Sequence, residues 1–329
     1  MPASTLSTLS AKSYGLGLAR RIWICLFALV TIVFMAYVIR EHHTALAEIH
    51  LTSPWLLIFA AAMHGVFWLV AIAFWRYAVR VTTQKKLSMR ESFRQLALVA
   101  VGKYIPGKVW GFLARGTALK QSEASTAEVF AATFVEQWAM LMSAGLVGGL
   151  LLLMIRPNGL LTVVGVAAIV TSVLGNHLFR FGVSMFQRAL SAVSESNERR
   201  QIIPLRYPHY LILLLTHSLM WVLMGSVLAS IYFAFSLQAF SIELYAALVL
   251  ANTVGIVTGF VALFAPGGLG VREAVTTAVL LPYIPLEQAA LLSITFRLWT
   301  TLIDIFLAVT LVWQAARATR RTHMTGFDQ

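Results

Sequence analysis

The sequence predicts an all-α polytopic membrane protein with six full spans and two re-entrant helical hairpins, about eight transmembrane segments. Three observations predict this fold class. Of 329 residues, 59% are apolar and 12% charged, with a mean hydropathy of +0.80; soluble domains carry about 25% charged residues. Apolar runs close to the length that crosses a bilayer, about 20 residues, recur along the chain. Two further apolar runs are interrupted by Pro-Gly pairs. So much apolar surface excludes a soluble enzyme, a secreted disulfide scaffold and a disordered chain.

The first run, 22–39, follows Lys12, Arg20 and Arg21 and leads into Arg40-Glu41-His42-His43 without a small-residue cleavage pattern. It reads as a retained signal anchor, with 1–21 as a cytoplasmic tail. Cys25, the only cysteine, lies in this run, so neither an intrachain disulfide nor a cysteine metal site is expected. The other full spans are 55–79, 126–155, 160–179, 209–236 and 288–314. The interrupted runs are 95–117, broken at Pro106-Gly107, and 244–282, broken at Pro266-Gly267-Gly268-Leu269-Gly270. Such segments turn back at mid-depth where protein or water satisfies the freed backbone groups. Residues 22–316 then form one membrane domain, and 317–329 a second cytoplasmic tail. The longest polar stretch, 180–208, is too short for a nucleotide-binding domain.

Sidedness follows from the basic residues. The net charge of +12 comes from 25 Lys and Arg against 13 Asp and Glu. With six crossings and two hairpins that return to their own side, most of these cations fall on one face, and only Arg40 and Arg156 in outer loops. The positive-inside rule therefore puts both termini in the cytoplasm. The basic balance reflects orientation and anionic lipid headgroups; no nucleic-acid partner is expected.

The order span, span, hairpin, span occurs twice, over 20–157 and 158–316. Three crossings per copy invert the second copy, so the pattern is that of an inverted-topology repeat. His64 and Trp68 correspond to His217 and Trp221, Pro106-Gly107 to Pro266-Gly267, and Glu136 to Arg297, in one order and at similar offsets. Inverted repeats supply two related conformations, one open to each side, with a site between the copies.

Ionisable residues left at membrane depth are the candidates for function. In the first hairpin, Lys103, Lys108 and Arg115 flank the break. They form either an anion cradle at a helix start or a kinked helix whose cations snorkel to the headgroups. In the second, a helix is expected from about Val271. Glu273 suits its first turn; Arg272 does not, and needs an acidic partner or an anionic ligand. Thr133, Glu136 and Gln137 share one helical face, and Arg297, Thr300, Thr301 and Asp304 another. If the copies pack face to face, Glu136 and Arg297 pair, as a structural tie or as a gate. His64 and His217 are either packing residues or proton-coupling groups. No metal-ligand cluster, catalytic triad order, P-loop or dinucleotide glycine pattern occurs, so no metal and no cofactor is expected.

The segments GKYIPGKVWGFLARG (102–116) and PGGLGVREAV (266–275) resemble the lysylphosphatidylglycerol synthase transmembrane region, the flippase-like domain family, across roughly 20–316. The resemblance implies a bacterial cytoplasmic (inner) membrane protein that handles lipids or lipid-linked substrates. It implies a functional site containing Arg272 and Glu273, with Lys108 and Arg115. Bifunctional members carry a soluble aminoacyl-transferase domain after the membrane part, and this chain ends at Gln329, so no enzymatic activity is expected. The expected function is a flippase-like transporter. It moves an anionic lipid or polyprenyl-phosphate-linked glycan intermediate across the membrane by alternating access. The alternative is a non-transporting membrane partner of a glycosyltransferase in cell-envelope polysaccharide or glycolipid synthesis.

Overall fold

The computed structural model describes residues 40, 51–104, 110–120, 126–155, 158–193, 205–236, 238–262 and 265–325. The expected anchor at 22–39, with Cys25, lies outside the described residues. So do Pro106, Gly107 and Lys108 of the first break.

Among the described residues the protein is all-helical. Nine α-helices follow one another: α1 (Trp55–Thr83), α2 (Met89–Gly102), α3 (Trp110–Lys120), α4 (Thr126–Ile155), α5 (Gly159–Val193), α6 (Tyr207–Phe235), α7 (Ile242–Val261), α8 (Val271–Leu280) and α9 (Leu286–Thr325). Six contain stretches long and apolar enough to cross a membrane: α1, α4, α5, α6, α7 and α9. Five match the full spans expected from sequence. The sixth, α7, belongs to the second broken segment, where sequence suggested only a hairpin arm. Part of the polar stretch 180–208 is helical too, because α5 continues to Val193.

Local chemistry sets the helix ends. Ser88 and Glu91 cap α2 reciprocally, the Ser88 hydroxyl accepting from the Glu91 amide at 3.2 Å and the Glu91 carboxylate accepting from the Ser88 amide at 3.1 Å. Gln84, at φ 60°, closes α1 in the left-handed region. The Ser241 hydroxyl accepts from the Leu244 amide at 3.0 Å to start α7.

Helices α1 and α6 run antiparallel. The Ala234 carbonyl accepts from the Thr52 amide at 2.9 Å near one end, and the Phe74 and His217 rings meet at 5.3 Å further along. Small residues bring α4 against α5: a Cβ on Gly149 would lie 2.6 Å from the Gly165 carbonyl oxygen. One apolar core, around Leu228, Leu248, Leu280 and Phe296, joins α6 to α9. A second, around Trp75, Val79, Leu213 and Leu214, joins α1 to α6. Each packed apolar side chain contributes about 1.5–3 kcal/mol only where the alternative is water; against lipid, close van der Waals packing and internal polar contacts hold helices together.

Both broken segments fold back on themselves. In the first, Gly102 at the end of α2 touches Gly111 at the start of α3 so closely that no side chain fits between them. In the second, Ala251 of α7 faces Thr276 of α8, while Gly259 faces Gly268 and Arg272. The arms are thus antiparallel. Between them Pro266–Gly268 forms a single 3-10 turn, and Gly267, Gly268 and Gly270 have φ of 58°, 73° and 80°. Glycine is needed there because a Cβ is disfavoured at positive φ. At Gly268 it would also meet the Gly259 Cα at 2.9 Å.

Candidate functional site

The end of α2 and the glycine turn of the second segment converge on the middle of α9. Asp304 on α9 accepts from two groups of the first segment: the Lys103 ammonium lies 2.7 Å from its Oδ2, and the Tyr104 hydroxyl donates to the same oxygen at 2.6 Å. Tyr104 also reaches Thr301 at 3.3 Å. One face of α9 therefore clasps the tip of the first segment. Seven positions earlier on that face, Arg297 clasps the second: its Nη1 donates to the Gly267 carbonyl at 2.8 Å and lies 3.6 Å from Glu273 Oε1. The two tips touch as well. A Cβ on Gly267 would stand 2.9 Å from Arg297 Nη2, 3.7 Å from the Tyr104 ring and 3.8 Å from the Lys103 carbonyl.

Glu273 is committed to its own helix. Its Oε2 accepts the Gly270 amide at 2.7 Å, which satisfies one of the unpaired donors at the start of α8. Its neighbour Arg272 is held by stacking, with the guanidinium 5.1 Å from the centre of the Phe296 ring. Among the described residues, Arg272 Nη2, Arg297 Nη2 and Glu273 Oε1 are buried atoms without a hydrogen-bond partner.

A separate charged cluster lies between α1, α2, α3 and α4. Arg115 is 1% exposed. Its Nη2 lies 2.6 Å from Glu136 Oε2 and donates to Thr133 at 3.2 Å. Its guanidinium stacks 3.9 Å from the centre of the Trp75 ring, whose indole N–H donates to Gln95 at 2.8 Å. Gln137 also donates to Glu136, at 3.1 Å.

The sequence-based expectation that Glu136 pairs with Arg297 is therefore corrected. These two residues each pair within their own half of the chain, Glu136 with Arg115 and Arg297 with Glu273, while Lys103 and Asp304 pair across the halves. The physical reason is proximity. Each hairpin's returning arm packs beside the helix that follows it, and arm and helix supply one charge each. The base lies on the returning arm in the first pair and on the following helix in the second.

The site residues divide accordingly. Lys103, Arg272, Glu273, Arg297 and Asp304 come together, with Gly267, Gly268 and Gly270 forming the turn. Arg115 and Glu136 stand apart in the second cluster. Thr300 turns its hydroxyl to the Arg297 carbonyl at 3.0 Å. His64 Nδ1 accepts the Trp299 indole N–H at 3.1 Å, which links α1 to α9 and uses the lone pair a proton would need. His217 Nδ1 lies 3.1 Å from the Ser143 hydroxyl, which also accepts from Trp221 at 2.9 Å. Tyr104 and Trp75 were missed in sequence. Tyr104 adjoins Lys103 in the first motif and could have been found there; nothing in the sequence marks Trp75 beyond its place in a span. Among the described residues no group of acids, histidines and cysteines is placed to hold a metal ion.

A family model described as the lysylphosphatidylglycerol synthase TM region matches residues 18–308. No curated protein matches the chain.

Proposed function

The chain belongs to the lysylphosphatidylglycerol synthase TM region family, and from that premise we propose that it carries an anionic lipid or a polyprenyl-phosphate-linked glycan intermediate across the bacterial inner membrane. One observation carries this reading: the end of α2 and the glycine turn after α7 meet on a single face of α9, level with the middle of its apolar stretch Leu286–Leu311, and bring charged groups there. Charge at that depth is costly and usually marks a substrate path. Broken helices that meet at mid-depth are also the arrangement by which inverted repeats expose one site to each side in turn.

In this reading the hairpins re-enter from opposite faces. Headgroups bind where the tips touch, and the acyl or prenyl chains stay in the bilayer. The site binds and releases; it catalyses no reaction.

Leaflet exchange of fluorescent lipids in proteoliposomes tests the transport. Exchange above protein-free vesicles for at least one anionic or prenyl-phosphate lipid is expected, and equal exchange across the candidates would reject it. Co-purification with a glycosyltransferase, coupled to absent exchange, would favour the non-transporting partner instead. Topology is checked separately with cysteines at Lys86 and Glu287, both exposed, in a Cys25→Ser background. Impermeant maleimide should reach them from opposite sides, and labelling of both from one side rules out the inverted arrangement.

A further inference from the structure

The convergence point carries unbalanced charge. Among the described residues, Lys103, Arg272 and Arg297 bring three positive charges, Glu273 and Asp304 two negative ones. Lys103 and Asp304 answer each other at 2.7 Å. Glu273 stands 3.6 Å from Arg297 and spends its other oxygen on the Gly270 amide. Arg272, within electrostatic reach of Arg297, Glu273 and Asp304, has a ring to stack on but no carboxylate of its own. Two buried guanidinium nitrogens, Nη2 of Arg272 and Nη2 of Arg297, are left without acceptors among the described residues. An uncompensated charge and unsatisfied charged donors at this depth each carry a penalty that an anion removes.

We infer that the site selects a headgroup bearing one negative charge on a phosphodiester, with its two non-bridging oxygens facing the free nitrogens of Arg272 and Arg297, and that it discriminates against diphosphates. A phosphodiester matches the excess charge and the two donors together. A diphosphate would leave negative charge unanswered in the same low-dielectric surroundings. A glycerophospholipid and a prenyl-phosphate-linked sugar both present this group. The inference rests on the lipid-handling reading above, but it concerns binding and not movement.

The test uses the full chain in neutral detergent, with ligand-induced thermal stabilisation as the readout. The probes are dihexanoylphosphatidylglycerol, a short-chain glucosyl phosphoryl prenol, farnesyl diphosphate and uncharged dihexanoylglycerol. One or both phosphodiesters should bind at least about tenfold more tightly than the diphosphate and the neutral lipid, and the tighter of the two identifies the source. Equal or tighter binding of farnesyl diphosphate or dihexanoylglycerol overturns the inference.

Glu273→Gln keeps the α8 cap through its amide oxygen and raises the excess charge by one. Its preference should move toward the diphosphate by about tenfold. Asp304→Asn, which still accepts from Tyr104, should do the same if Glu273→Gln fails to fold. An unchanged ranking in either folded variant also overturns the inference. If the ranking holds and vesicles show no exchange, the transport reading fails alone. Exchange without preference for single charge removes only the present inference.

Discussion

The two arginine–glutamate pairs occupy related places in the two halves of the chain, yet they are built differently. Arg115 and Glu136 form a closed unit. The ion pair is 2.6 Å, a threonine and a glutamine hydrogen-bond to it, and an indole covers the guanidinium face. Arg297 and Glu273 stand 3.6 Å apart, each holding a backbone group of the glycine turn instead of the other. The closed pair ties α3 to α4 through Arg115 Nη2, while Arg115 Nε and Nη1 have no hydrogen-bond partner among the described residues. The open pair keeps the glycine turn in shape. Charge at membrane depth thus does two jobs here, and the separation within each pair, with the backbone groups each partner holds, tells them apart better than charge or burial does.

The comparison breaks most visibly if the closed pair proves dispensable. Arg115→Ala strands the half-buried Glu136 and should cost up to about 3–5 kcal/mol, the usual penalty for removing one partner of a buried pair. The expected readout is a lower melting temperature in detergent and a loss of monodisperse protein. The double change Arg115→Met with Glu136→Leu should recover most of that loss, since no charge is left unpaired. An unaltered melting temperature for Arg115→Ala would remove the distinction between the pairs.

Arg272→Ala probes the open cluster. Folding should be preserved, because Arg272 makes no ion pair among the described residues, while proteoliposome exchange falls at least about tenfold, equivalent to 1.4 kcal/mol. Normal exchange would take Arg272 out of the substrate path.

Smaller effects sharpen the picture. Gly268→Ala forces a Cβ onto a positive φ and against Gly259; a strained backbone position of this kind costs about 1–3 kcal/mol, read by thermal unfolding. Trp299→Phe removes only the indole donor to His64 and should cost about 1 kcal/mol. If this variant instead makes exchange strongly pH-dependent, His64 is a proton-coupling group and not a packing residue.

Much of the architecture was legible in the sequence because apolar length and Pro-Gly breaks act locally. Helix α8 starts at Val271, as the glycine cluster and the acid at position 273 imply, and α4 spans 126–155 as its apolar run does. Pairing was not legible. The shared faces of Thr133 with Glu136, and of Arg297 with Asp304, followed from helical spacing, but spacing cannot say which helix supplies the partner. Arg115 reached Glu136 because Gly102 and Gly111 let α2 and α3 close tightly, a contact between two residues that lack side chains and so leave no charge or polarity pattern to read. Likewise the apolar run of α7 continues into the break and so reads as half of a hairpin, whereas helix length alone makes it long enough to cross.

The clasp on α9 also bears on how the protein is made. Lys103 and Glu273 find their counter-charges on Asp304 and Arg297, and those two residues emerge from the ribosome after every other helix described here. Until α9 arrives, a lysine and a glutamate bound for mid-depth stand without their partners in a growing bundle. Early release into lipid would expose both, a costly state. Biogenesis therefore favours holding the preceding helices beside the insertion machinery until α9 docks, and a nascent chain stalled before Leu286 should be a substrate for membrane proteolysis.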